Sequence, residues 1–335
     1  MSAQAGGTVT YFSSAAYTDS RLFTTLSKDT GLDLKVQNFG DTDQMVARIT
    51  AARGAGLDIC MCPNNLTAQL YRDGYFQKID VKRLKNWERI FPELRNANFL
   101  DTDEADKKIG VPLAWGPEGM IYRTDKIAKA DSWNDMWDPR WKGRVAAPDY
   151  GYEMVLMAAQ VLGYKRELDK EPITFTDQQY AEIKKKLIEQ KKLVTKYWGS
   201  VAEGGSLIVS GEAWISVGRL AMLGPARQEK VPIKLIAPKE GAQGWCASMC
   251  FVKASTNAEP VYKFLDWMIS ESYQNGLSRI KNYPSVNKQF MMELSPELRN
   301  DLTLGDPNLL TSMQWWRQAA DVQRFNTLWN EVKAS

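Results

Sequence analysis

A chain of 335 residues, 44% hydrophobic and 25% charged, has the composition of an ordinary soluble protein and the length for two cores. Lys plus Arg number 43 against 40 for Asp plus Glu, and a net charge of +3 spread over the chain argues against nucleic acid or an anionic membrane as partner. Histidine is absent, which removes Ser-His-Asp and Cys-His nucleophiles and any His-ligated metal. Neither G-x-x-x-x-G-K-[ST] nor a G-x-G-x-x-G after a strand occurs, so no nucleotide cofactor is expected, nor any other. No run approaches the roughly 20 apolar residues of a membrane helix, so direct insertion is not expected.

From the start, Met1-Ser2 ahead of small residues 3–7 reads as an added start codon on the kind of stretch left when a signal peptide is removed. Residues 8–12 are β-rich, 20–30 helix-like and 32–36 a second strand, a βαβ opening. Gly40 and Asp41 precede a helix through Ala52, residues 57–61 make a third strand, and Asn64 or Asn65 caps a helix running to Gly74. The crossovers imply a parallel sheet, in which ligands bind beyond the carboxyl ends of strands. Attention therefore falls on Ser13 and Ser14 after the first strand and on residues 63–65 after the third.

The apolar, glycine-punctuated stretch 108–116 is read as a strand crossing to a second α/β lobe. That lobe holds a short helix at 133–137, a strand at 143–147, a helix capped by Asp149 and reaching Leu162, an exposed helix at 177–192, and strands at 213–217 and 232–236. Residues 244–252 cross back. The rest is helical, with Pro260, Pro284 and Pro307 as helix starts or breaks and a long last helix over 315–332. The cysteines, Cys60 with Cys62 and Cys246 with Cys250, match no common zinc spacing and read as buried thiols ahead of a disulfide.

Several stretches, in order, carry a resemblance: LDICMCP at 57–63 followed by RDGYFQKID at 72–80, IGVPLAWG at 109–116, WNDMWDPRWKG at 133–143, Gly211-Glu212, PKEG at 238–241 and NYP at 282–284. The chain resembles the polyamine-type family of periplasmic solute-binding proteins, the spermidine and putrescine receptors of bacterial ABC importers. The resemblance implies an α/β, two-lobed periplasmic binding protein fold of type II, with two crossing strands as hinge and the ligand in the cleft. It implies lobe one as 1–113 and 246–291 and lobe two as 114–245 and 292–335. It also implies a periplasmic monomer whose partners are a small-molecule ligand and the membrane permease of the importer.

Family pocket positions carry over where these stretches align. Glu153 falls on a family carboxylate, but another aligns with Tyr150, and the amine-clamping aspartate aligns with Ala247, next to Ser248. An aromatic of the family cleft aligns with Arg219, a guanidinium that repels a polyamine and forks onto a carboxylate. Trp115, Trp245, Tyr283 and Trp315 lie at or beside cleft positions, where aromatic faces cover a ligand's C–H side. Ser14 and Ala15 replace a family aromatic and hydroxyl, with Ser13 and Tyr17 adjacent, and Asn64 and Asn65 offer donors and acceptors. Each has a plainer role: helix-dipole stabilisation for Glu153, capping for the asparagines, a solvent-facing Arg219, core packing for the aromatics.

This inventory of one cation, one anion, hydroxyls, amides and aromatics suits an amphoteric, carboxylate-bearing solute, first an opine joining a sugar to an amino acid, then γ-aminobutyrate or another ω-amino acid. A plain polyamine receptor is the third reading, and a carboxylate-dependent enzyme built on Asp149 and Glu153 is the opposing class. A sensor partner on the same scaffold differs only downstream. Arg219→Ala is expected to abolish carboxylate binding while leaving stability nearly unchanged.

Overall fold

The computed structural model describes residues 7–306 and 308–335. The first six residues, read above as an export remnant, and Pro307, read as a helix start or break, lie outside them.

The chain opens with β1 (Thr8–Ser14) and β2 (Asp33–Phe39), paired in parallel. The helix expected over 20–30 is instead a 3-10 turn at Ser20–Leu22 and one α-turn at Leu26–Thr30. The β-branched pair Thr24-Thr25 disfavours a continuous helix, and Gly31 ends it at φ 73°. Helix α1 (Thr42–Ala51) starts as read, with the Asp41 side chain accepting from Gln44 N–H. Strand β3 (Ile59–Pro63) also pairs in parallel with β1, and α2 (Asn64–Arg72) follows at once.

Next come β4 (Gly110–Arg123), β5 (Val145–Pro148), α3 (Gly151–Val161), α4 (Asp177–Lys191), β6 (Val194–Trp198) and α5 (Val201–Ser210). The chain continues through β7 (Ile215–Arg219), β8 (Ile233–Ile236), β9 (Gln243–Val252), α6 (Ala258–Met268) and α7 (Glu271–Lys281). It ends with β10 (Gln314–Trp315) and α8 (Val322–Ala334). The long last helix therefore begins later than expected, because residues 314–315 pair with β9 in parallel instead of coiling.

The chain divides into two compact units. The first is built from the residues up to Trp115 together with Trp245–Arg299, the second from Gly116–Gly244 and Asn300–Ser335. In the first, the strands run in the order β2, β1, β3, β9, β4, with β9 antiparallel to β3 and Cys250 opposite Cys60. Its buried centre includes Val9, Tyr11, Ile49, Ile59 and Phe264.

In the second unit the order is β4, β7, β5, β6. Here β7 is antiparallel to β4 and parallel to β5, while β8 pairs with β4 as well. Helix α3 is buried along almost its whole length, packed by α4 and α8. By contrast α4 buries one face, Tyr180, Ile183, Leu187 and Gln190, the spacing of a surface helix. Among the described residues no helix is long and apolar enough to cross a membrane.

Two caps differ from expectation. Asn64 and Asn65 lie inside α2, whose cap position is Pro63; β3 passes directly into the helix and leaves no loop for an asparagine. Asp149 likewise stands one residue too early, Tyr150 being the cap position of α3. The Asp149 carboxylate accepts from Trp329 Nε1 at 2.8 Å and pairs with Lys333 Nζ at 2.7 Å, tying β5 to α8.

Candidate functional site

In the second unit two of the expected site residues, Glu153 and Arg219, meet. Arg219 is the last residue of β7, and the antiparallel register sets it opposite Glu118 of β4. Its Nε lies 2.8 Å from Glu118 Oε1, and its Nη2 donates to Glu153 Oε2 at 2.7 Å. Glu153 stands in the first turn of α3, where the helix dipole favours an anion. Both carboxylate side chains are 1% exposed, whereas the arginine side chain is 26% exposed.

The guanidinium carbon sits 5.4 Å from the centre of the Trp198 ring, a cation–π contact, and Trp198 Nε1 donates to Ser216 Oγ at 3.1 Å, which fixes the ring. Burial pushes the Glu118 carboxyl well above the usual carboxylate range, Arg219 pulling it down and Glu153 adding to the rise.

Glycines open this region to close packing. A Cβ on Gly151 would stand 2.7 Å from Trp329 Cβ, so glycine there lets α8 lie against the start of the helix that carries Glu153. Gln243 donates to the Glu153 backbone carbonyl at 3.2 Å and accepts from Trp316 Nε1 at 3.1 Å. Tyr150, exposed, has its ring 6.1 Å from that of Trp316, and Trp315 lies over Gly244.

In the first unit, Tyr17, Tyr283 and Trp245 form an aromatic group, with Tyr283 5.6 Å from Tyr17 and edge-on to Trp245 at 5.4 Å. Ser14 is half-buried at the end of β1, while Ser13 is wholly buried and donates to Tyr11 Oη at 3.0 Å. Asn64 accepts from Cys246 N–H at 3.1 Å, a bond that ties α2 to β9. Asn65 is buried, and among the described residues its Oδ1 meets no donor.

Trp115, buried, donates Nε1 to the Ser285 carbonyl at 3.0 Å, and Ser248 is buried opposite Cys62. Ser13, Asn64, Trp115 and Ser248 thus spend polar groups, or their burial, inside the first unit. All four cysteines are buried free thiols. Burial raises the Cys60 and Cys250 thiols far above their ordinary value and Cys246 to about 12. Among the described residues no cluster of cysteine and carboxylate side chains is placed to hold a metal.

Sequence reading missed Glu118, Trp198 and Trp316. A signal for Glu118 existed: it is the single charged residue from Gly110 to Tyr122, and a lone charge in a buried strand needs a partner. With it the second unit offers one cation and two carboxylates, where one of each had been expected.

The profile of the bacterial extracellular solute-binding protein family matches residues 21–303, and the chain belongs to that family. It is 23% identical over 332 residues to the spermidine/putrescine-binding periplasmic protein of Salmonella typhimurium, covering 98% of this chain and 92% of that one. Its fold is similar to that of the spermidine/putrescine ABC transporter substrate-binding protein of Streptococcus pneumoniae, with a TM-score of 0.82 at 18% identity over 98% and 99% of the two chains. It is also similar to the PBP MotA from A. tumefaciens B6, solved in complex with glucopine, with a TM-score of 0.74 at 17% identity over 97% and 99%. The fold is the mixed α/β type of type II periplasmic binding proteins. The chain is a bacterial extracellular solute-binding protein by family, and the proteins it is similar to are substrate-binding proteins, not enzymes.

Proposed function

We propose that this receptor takes an amphoteric, carboxylate-bearing solute, an opine before an ω-amino acid such as γ-aminobutyrate, and that Arg219 receives the carboxylate. One observation carries the reading: in the Glu118–Arg219–Glu153 group the side chain that reaches solvent is that of Arg219, 26% exposed, while each glutamate side chain is 1% exposed. A ligand approaching this group meets a cation first, and a guanidinium edge accepts a carboxylate through charge-assisted hydrogen bonds. The carboxylates fix the plane of the guanidinium, so little side-chain entropy remains to be lost on binding. Trp198 backs it, and exposed Tyr150 adds an aromatic face for C–H surface.

A polyamine reading draws on the two carboxylates, which outnumber the one arginine, and on the name of the Salmonella relative. Their burial behind the guanidinium weighs against it. The periplasm as compartment, a monomeric state and a membrane permease as partner complete the proposal on the strength of the family.

The test is a thermal-shift screen of polyamines, γ-aminobutyrate, amino acids and opines, since a ligand that binds only the folded state raises the melting temperature. The expected hit bears a carboxylate, polyamines give no shift, and Arg219→Lys, which keeps the countercharge but loses the fork, loses most of that hit's affinity. A spermidine or putrescine hit overturns the reading in favour of a polyamine receptor.

A further inference from the structure

We propose that Glu118 is a specificity-determining residue that carries a proton at neutral pH and hydrogen-bonds through it to Glu153, so that the buried group is neutral overall and Arg219 acts on the solute as its exposed charge. The proposal rests on the ligand reading above and assigns a role to a residue that no ligand need touch.

Two carboxylates, each 1% exposed, face one guanidinium. With both ionised, the group holds a net buried negative charge, which a protein interior tolerates poorly without a second cation. The charged side chains that act on Glu118 are Arg219, across the strand pair from β7, and Glu153 from α3; Trp198 of β6 brings a neutral ring to Arg219. No second cation is among them.

Hydrogen-bond capacity leads to the same place. Ionised carboxylates only accept, and counted so, Glu118 Oε2 and Glu153 Oε1 meet no donor among the described residues. Yet both carboxyl groups close on the same guanidinium, at 2.8 and 2.7 Å, which brings them together. A proton on Glu118 turns that repulsive approach into a donor–acceptor pair, and the burial-driven rise of its carboxyl acts in the same direction.

The consequence for selectivity follows from charge. Protonated, the group is neutral and its accessible part is cationic, which favours a carboxylate. Deprotonated, it is net negative, which favours an amine.

The test uses the full chain without ligand. In protein carrying glutamate labelled with carbon-13 at the side-chain carboxyl, NMR across an acid-to-alkaline titration should show one glutamate still protonated at neutral pH, its signal absent in Glu118→Gln. In Glu153→Gln that carboxyl should move back toward the ordinary range, since the repelling anion is gone; this variant, with the wild-type titration, decides the matter where Glu118→Gln does not fold. A second readout is stability. A carboxyl whose folded value is raised contributes stability at low pH that is lost as pH climbs through that value, so the wild-type melting temperature should fall relative to Glu118→Gln as pH rises. Finding every glutamate ionised at neutral pH, or parallel melting curves at all pH values, overturns the proposal. A protonated Glu118 in a protein that the screen shows to bind a polyamine would instead sink the ligand reading and leave the proton in place.

Discussion

Arg219 shows how one side chain changes meaning when its neighbours are known. Read along the sequence, it is a cation awaiting a ligand, and its removal should leave the fold untouched. In the structure it is also the partner of two buried carboxyl groups and the countercharge of Glu153, so that expectation is corrected: Arg219→Ala should lower stability by about 3 kcal/mol, the scale for breaking a buried pair by removing one partner. Urea denaturation of the variant checks this, and an unchanged midpoint would mean that the carboxylates find water or protons without it. Arg219→Lys is therefore the cleaner probe of binding, because it keeps a positive charge beside Glu118 and Glu153.

At the scale of elements, the arginine is placed by the close fit of three strands. Gly119 of β4 sits opposite Gly218 of β7, and a Cβ on Gly119 would come within 2.2 Å of the Ile236 carbonyl oxygen in β8. Backbone cannot yield as a flexible side chain does, so Gly119→Ala should push β8 away from β4. A loss of about 1–3 kcal/mol is expected, with weakened solute binding because Glu118 and Arg219 are the next pair in the same register. Chemical denaturation and the solute screen, run on the same variant, measure both effects. Stability equal to wild type would show that the strand pair relaxes more freely than its packing implies.

For the whole molecule, the two compact units make separate reports possible. All four cysteines lie in the first unit, on the neighbouring strands β3 and β9, and all are free and buried. The burial of all four, with the raised values of Cys60, Cys246 and Cys250, predicts no reaction with a thiol reagent in the folded protein and four reactive thiols in urea. Thiol labelling against urea concentration thus follows the first unit alone. Two reactive thiols in urea would instead reveal a disulfide.

What the sequence by itself determined was the alternation of strand and helix, the passage of the chain from one α/β set to another, the membership of a solute-binding family, and the exclusion of histidine chemistry. These follow from periodicity, composition and ordered motifs, which are local or additive properties of the chain. The first two strands, the helix α1 that follows Asp41 and the exposed helix α4 were legible for that reason. The tertiary structure decided what each polar side chain bonds to. It drew Asn64 to Cys246, tied Asp149 to α8, turned residues 314–315 into a strand, and brought Glu118 and Glu153, distant in sequence, onto one arginine. The physical reason is that a buried charge or amide is satisfied by whichever group packing brings within about 3 Å, and that neighbour belongs to another element, set by strand register and helix packing.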